Sequence, residues 1–150
     1  MISVQTEDFS LSQEYEQLAK GSEAGAIVTF IGKVRDFNQG DSVQGLSLEH
    51  YPGMTEKALT EIVDQAEHRW PLLQVKVIHR VGDLKLGDQI VFVGVSSAHR
   101  NAAFESCEFI MDFLKTKAPF WKKERVNDSS RWVDARESDN KATDRWQQQS

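Results

Sequence analysis

Apolar residues recur along the chain with two different periods. From Gly25 to Arg35, residues Ala26, Ile27, Val28, Phe30, Ile31 and Val34 occupy both alternating faces. This predicts a strand buried on both sides for most of its length, with Lys33 and Arg35 at its polar end. A turn-rich stretch, Asp36 to Ser42, leads to a second strand, Val43 to Tyr51, predicted to pair with the first as an antiparallel hairpin. The period then changes. Leu59, Ile62, Val63, Ala66 and Trp70 follow helical spacing, with Thr55 as N-cap and Pro71 closing the helix. Two further strands, Leu73 to Val81 and Gln89 to Ser96, flank a loop rich in Gly and Asp, Gly82 to Asp88. A second helix carries the stripe Phe104, Cys107, Met111 and Leu114, and Pro119 ends it. Ser10 to Lys20 predicts a short helix. Residues 138–150, with Trp146 as their one large apolar group, predict a mobile tail. The order of elements indicates a single α+β domain over residues 1–150, with a mainly antiparallel sheet.

Composition narrows the classes. The chain has 150 residues, 39% hydrophobic and 27% charged, enough apolar material for one core and a charge content unlike that of a disordered chain. Its net charge of −5 disfavours general binding of nucleic acid, and one cysteine, Cys107, excludes an intrachain disulfide. No apolar run approaches roughly 18 residues and no charged-then-apolar leader opens the chain, so neither a membrane span nor a secretory signal is expected. The expected location is cytoplasmic.

Against that acidic background, Lys115 to Arg125 holds five of the 18 Lys and Arg residues and one acid, a local +4 in a chain of −5. The segment reads as an anion receptor, with Pro119-Phe120-Trp121 as a break that holds lysines from two sides around one pocket. Lys115 follows Leu114 at the edge of the apolar stripe, where partial burial and neighbouring cations would drive an ammonium towards a pKa of roughly 7 to 8, useful for acid–base work. The alternative is a solvated helix end with snorkelling lysines. Ser96 to Asn101, where a strand turns into a helix, is either a phosphate site at a helix N-terminus, with Arg100 and His99 contributing, or a plain capped start. Cys107 falls on the apolar stripe with no base at helical spacing, which favours packing over nucleophilic chemistry. The four histidines have no metal-ligand spacing, and no glycine pattern fits a dinucleotide or triphosphate loop.

Four segments together resemble a known family: Ile31-Gly32-Lys33-Val34-Arg35, Leu48 to Met54, Ser97-Ala98-His99-Arg100, and Leu114 to Glu124. From about Phe9 to Trp146 the chain is similar to the large, catalytic subunit of molybdopterin synthase. The resemblance implies an α/β-hammerhead-like fold with an added antiparallel β subdomain. It implies sulfurtransferase activity in molybdenum cofactor biosynthesis, converting cyclic pyranopterin monophosphate into the dithiolene of molybdopterin. These are substrate and product, and no resident cofactor or metal is implied. The implied partners are a small ubiquitin-like sulfur carrier, ending in a Gly-Gly thiocarboxylate, and a second copy of the chain, giving a homodimer and then a heterotetramer. No nucleic-acid or membrane partner is implied. By the same resemblance Lys115 and Lys122 are catalytic, and Lys33, Val34, Arg35, His99, Arg100, Lys115, Lys122, Lys123, Glu124 and Arg136 bind substrate. Relatives can carry arginine where this chain has Lys123, which lacks a bidentate fork for phosphate.

Two other functions compete on the residues alone. One is a single-strand nucleic-acid module stacking bases on Phe120 and Trp121. The other is a sulfurtransferase that carries a persulfide on Cys107.

Overall fold

A computed structural model describes the backbone of residues 1–35, 37–38, 41–42, 44–126, 129–133 and 137–148, and the side chains of residues 1–35, 44–123 and 140–147. In chain order the elements are β1 (Ile2–Gln5), α1 (Leu11–Leu18), β2 (Ala26–Lys33), β3 (Phe37–Asn38), β4 (Asp41–Ser42), β5 (Gly45–His50) and α2 (Met54–Arg69). They continue with β6 (Gln74–Arg80), β7 (Gly82–Lys85), β8 (Gln89–Ser97), α3 (Arg100–Lys117), β9 (Phe120–Val126), β10 (Ser129–Val133) and α4 (Glu137–Gln148). The result is the expected α+β class with antiparallel pairing predominant.

One four-stranded sheet has the order β1-β6-β8-β2, with only the β1–β6 pair parallel. Its strands β6 and β8 are apolar on both faces because both faces are covered. Val75, Val77, Val91, Val93 and Val95 meet α2 and α3 on one side, while Ile78 and Phe92 meet Leu18 of α1 on the other. The second sheet, β10-β9-β5-β7, is wholly antiparallel and closes a smaller core of Val34, Leu46, Leu48, Val81 and Leu84. It is the second antiparallel unit that the resemblance implies.

Several local expectations change. The predicted hairpin between residues 25–35 and 43–51 does not form: β2 pairs with β8, while β5 pairs with β7 and β9 in the other sheet. The loop predicted between β6 and β8 contains β7, which reaches out to the second sheet. Gly53 rather than Thr55 caps α2, at φ 84°, a left-handed conformation that glycine adopts without strain. Phe104 is 61% exposed, so the buried stripe of α3 runs instead through Ala103, Cys107, Ile110 and Leu114. Phe120–Val126 and Ser129–Val133, left without an element by the sequence, form the antiparallel pair β9 and β10. The segment predicted as a mobile tail contains α4. Trp146 is the reason: only 5% exposed, it packs edge-on to Trp70 and Phe109, and its indole N–H donates to Asp112. Arg145 adds ion pairs to Glu108 and Asp112. Among the described residues, no helix is long and apolar enough to cross a membrane.

The start of β2 lies hard against the turn that leads into α3. Gly25 N–H donates to Ser97 O at 3.0 Å, and a Cβ on Gly25 would stand 2.3 Å from the Ala98 carbonyl oxygen. Backbone cannot yield as a side-chain tip does. Gly25→Ala is therefore expected to cost about 1–3 kcal/mol, roughly 2–10 °C in Tm, measured by thermal unfolding; an unchanged Tm would refute this close approach.

Candidate active site

The basic segment is divided by a sharp change of direction. α3 ends at Lys117, and Ala118 is extended at φ −82° and ψ 134°, as a residue before proline prefers. Pro119 then starts the chain into β9. The turn is tied down by Thr55, whose buried hydroxyl donates to Pro119 O at 3.2 Å and accepts from Tyr51 N–H at 3.1 Å. Phe120 lies opposite His50 and Lys122 opposite Leu48. Strand alternation therefore puts Phe120 and Lys122 on one face of β9, and Trp121 and Lys123 on the other. Lys122 and Lys123 consequently cannot present side chains to the same surface.

Beneath Phe120 lies a residue that the sequence reading passed over. The His79 ring stacks on Phe120 with centroids 3.8 Å apart and an interplanar angle of 18°. Burial lowers its pKa to about 3; the hydrogen bond to Arg80 O opposes this, and the positive charges of Lys122, Lys115 and His50 lower it further. His79 is therefore neutral across the physiological range, and the side chains that act on it mark where α3, β9 and β5 converge. The available signal was its phase, since Val75, Val77 and His79 alternate onto the core face of one strand.

Lys115 itself is exposed, not partly buried as its place beside the stripe predicted, although Phe113 and Leu114 before it are buried. Lys33 and Arg35, also exposed, flank Val34 at the same end of the sheet as the lysines. Val34 is a core residue, packed in the cluster of Leu48 and Leu84 against which Phe120 also rests. Its N–H donates to Asp88 O and its carbonyl accepts from Gly87, so what it contributes is the placement of its charged neighbours.

His99 and Arg100 are elsewhere. They open α3, whereas Lys115 closes it, and fifteen residues at about 1.5 Å each set them about 22 Å apart. The strands agree: Ala26 pairs with Ser97 at one end of β2, and Lys33 with Gln89 at the other. One copy of the chain does not bring His99 and Arg100 to the lysines. Arg136 lies outside the described residues, as does the side chain of Glu124.

A family model described as "MoaE protein" matches residues 4–117. The chain belongs to this family. It is 69% identical over 146 residues to the molybdopterin synthase catalytic subunit of Vibrio cholerae, covering 97% of each chain. It is 63% identical over 145 residues to that of Escherichia coli, again covering 97% of each. The solved structure of the molybdopterin biosynthesis MoaE protein from Burkholderia ambifaria superposes with a TM-score of 0.83 at 51% identity, covering 98% of this chain and 97% of that one.

Within this MoaE fold Cys107 is unsuited to carry sulfur. It is buried in the main core, its thiol faces Val93 O at 3.9 Å, and burial followed by the Glu108 charge pushes its pKa up to about 12. The reactive thiolate is scarcely populated at neutral pH. Cys107→Ala is expected to keep the wild-type rate of any sulfur transfer while losing about 1–2 kcal/mol of stability, and the native thiol is expected to resist alkylation until the chain unfolds. Loss of turnover in a folded variant would reinstate Cys107 as a carrier.

Proposed function

We propose that the chain is the catalytic subunit of a molybdopterin synthase, a sulfurtransferase that moves sulfur from a thiocarboxylated ubiquitin-like carrier onto cyclic pyranopterin monophosphate. The observation that carries this reading is the convergence of Lys115 and Lys122, from opposite sides of the Pro119 turn, at the end of the sheet that also bears Lys33 and Arg35. Two anions must meet there, the substrate phosphate and the carrier's C-terminus, and paired cations suit both. The carrier delivers the nucleophile, so the subunit needs to orient two reactants, stabilise developing negative charge and move protons. In this scheme sulfur replaces oxygen on the pyranopterin: a carbon–sulfur bond forms as a carbon–oxygen bond at the same carbon breaks, its oxygen departing with a proton, while the carrier's acyl–sulfur bond breaks and water supplies the oxygen with which the carrier leaves as a carboxylate. Lys115, exposed at the mouth of the site, serves as the acid–base group or a transient covalent anchor, and Lys122 holds the substrate or the carrier tail. A cytoplasmic setting fits this chemistry.

The separation of His99 and Arg100 from the lysines supports a site completed by a second copy. β2 is an edge strand of its sheet, partly exposed along its length, with Phe30 at 40%. Antiparallel pairing of two β2 edges would set the Lys33 end of one copy against the Ala26 end of the other, beside which His99 and Arg100 lie.

Two experiments test the reading. Lys115→Ala is expected to reduce molybdopterin formation at least about a hundredfold, assayed with thiocarboxylated carrier and pyranopterin phosphate, while carrier binding stays near wild type. Turnover retained by this variant would sink the assignment of Lys115. Mixing Lys115→Ala with Arg100→Ala chains is expected to restore about a quarter of wild-type activity, because half of the random dimers are mixed and each has one intact site. No restoration would place both residues in one protomer's site.

A further inference from the structure

Lys115 stands on the last turn of α3, where a helix is held only as firmly as its neighbours hold it, and Pro119 beyond it has no N–H to cap the end. The neighbour is α4, to which the proposed reaction gives no part. Its Thr143 is only 3% exposed, and the Thr143 hydroxyl lies 2.8 Å from the Thr116 hydroxyl and 3.3 Å from Asp112 O. The Thr116 hydroxyl is itself 3.3 Å from Asp112 O. A carbonyl only accepts, so one hydroxyl donates to the other and the second donates to Asp112 O. Asp112, Lys115 and Thr116 stand at i, i+3 and i+4, which are neighbours on a helix surface. α4 therefore grips the strip of α3 that carries the lysine. It is anchored one turn further on by buried Trp146, whose indole N–H donates to the Asp112 carboxylate and whose carbonyl accepts from Arg69 of α2 at 3.3 Å. Packing alone would be served as well by valine at residue 143, since the two have similar helix propensity and a buried hydroxyl is costly unless bonded.

We propose that Thr143 is a positioning residue for Lys115: from α4 its hydroxyl ties the last turn of α3 at Asp112 and Thr116, and so fixes the direction in which the lysine leaves the helix. The role of Lys115 in catalysis rests on the function proposed above, whereas the clamp on the helix end does not. Trp146 supplies the apolar contact that docks α4, and the directional bonds of Thr143 set its register against α3. A reacting group misplaced by about 1 Å costs up to roughly a hundredfold in rate. The flexible lysine stem absorbs part of such an error, which puts the expected loss below that limit.

Two substitutions separate the clamp from the packing. Thr143→Val keeps the shape and removes the hydroxyl, while Thr143→Ser keeps the hydroxyl and removes a methyl. The valine variant is expected to lose about threefold to thirtyfold in kcat, with KM and carrier affinity near wild type and Tm lower by only about 2–4 °C. The serine variant is expected to recover most of that rate despite its smaller side chain. Wild-type kcat in Thr143→Val, or a serine variant as slow as the valine one, would overturn the proposal. Amide hydrogen exchange tests the clamp without reference to activity. The N–H groups of Thr116 and Lys117 are expected to exchange at least about tenfold faster in Thr143→Val, while those of Phe92 and Val93 in β8 keep their wild-type rates. Thr116→Val, which breaks the same contact from the α3 side, is expected to speed exchange at Lys117 in the same way. Wild-type exchange at the end of α3 in either valine variant would refute the clamp. If the wild-type chain makes no molybdopterin, the proposed function fails, and hydrogen exchange still decides whether Thr143 holds the end of α3.

Discussion

Thr55 is fully buried, yet its hydroxyl is a polar junction for three parts of the molecule. It accepts from Tyr51 N–H at the end of β5, it belongs to the first turn of α2, and it donates to Pro119 O where α3 gives way to β9. Each bond contributes only about 0.5–1.5 kcal/mol net, but leaving these buried groups unpaired would cost more, so alternative courses for the chain after α3 are disfavoured. Proline reinforces the choice. It has no N–H to continue the helix and keeps Ala118 extended, so the segment leaves α3 abruptly and enters the second sheet. The separation and relative heading of Lys115 and Lys122 follow from that one turn.

The turn works because the main sheet is a rigid support. β8 is buried on both faces, and a Cβ on its Gly94 would come within 2.5 Å of Leu18 Cδ1, so α1 sits directly on the strand. On the opposite face α3 is held between the valines of the sheet and the α4 helix, through Phe109, Trp70 and Trp146. Such interlocked packing has little room to relax. The C-terminal end of α3 is thus a fixed platform for the exposed side chain of Lys115.

Much of this was legible from periodicity where a segment's environment is uniform. α2, α3, β6 and β8 have one continuous apolar face or two, and their existence follows from spacing alone. Pairing was not legible. β2 and β5 have compatible patterns, and what separates them is a competition with β7, β8 and β9 that no local window contains. β9 was hidden because Lys-Lys-Glu-Arg places charge on both faces of a strand, erasing the alternation that would reveal it. α4 was hidden for the opposite reason: a single aromatic, Trp146, anchors an otherwise polar helix. Within the site, charge density drew attention to the lysines, and the family resemblance separated Lys115 and Lys122 from Lys117. His79 gave no such signal, since a lone histidine among valines reads as core until the stacked Phe120 and the nearby ammonium groups are seen in three dimensions.

The length of α3 sets the remaining constraint. A helix of eighteen residues separates the charges at its two ends by more than twice the Debye length of about 8 Å at physiological salt, so His99 and Arg100 cannot assist the lysines of their own chain through space. Shortening the helix would not unite them either, because β2 and β8 span the same distance and fix the ends of the sheet. Two remedies exist in principle: a loop reaching back along the sheet, or a second copy turned end for end. Within the described residues no loop from the His99 end reaches the lysines, whereas the β2 edge is open along the whole interval that must be crossed. An antiparallel pair of edges reverses one chain relative to the other over that interval, which is the operation needed to bring unlike ends together. The same strand that separates the charges within one chain is thereby the element able to join them between two.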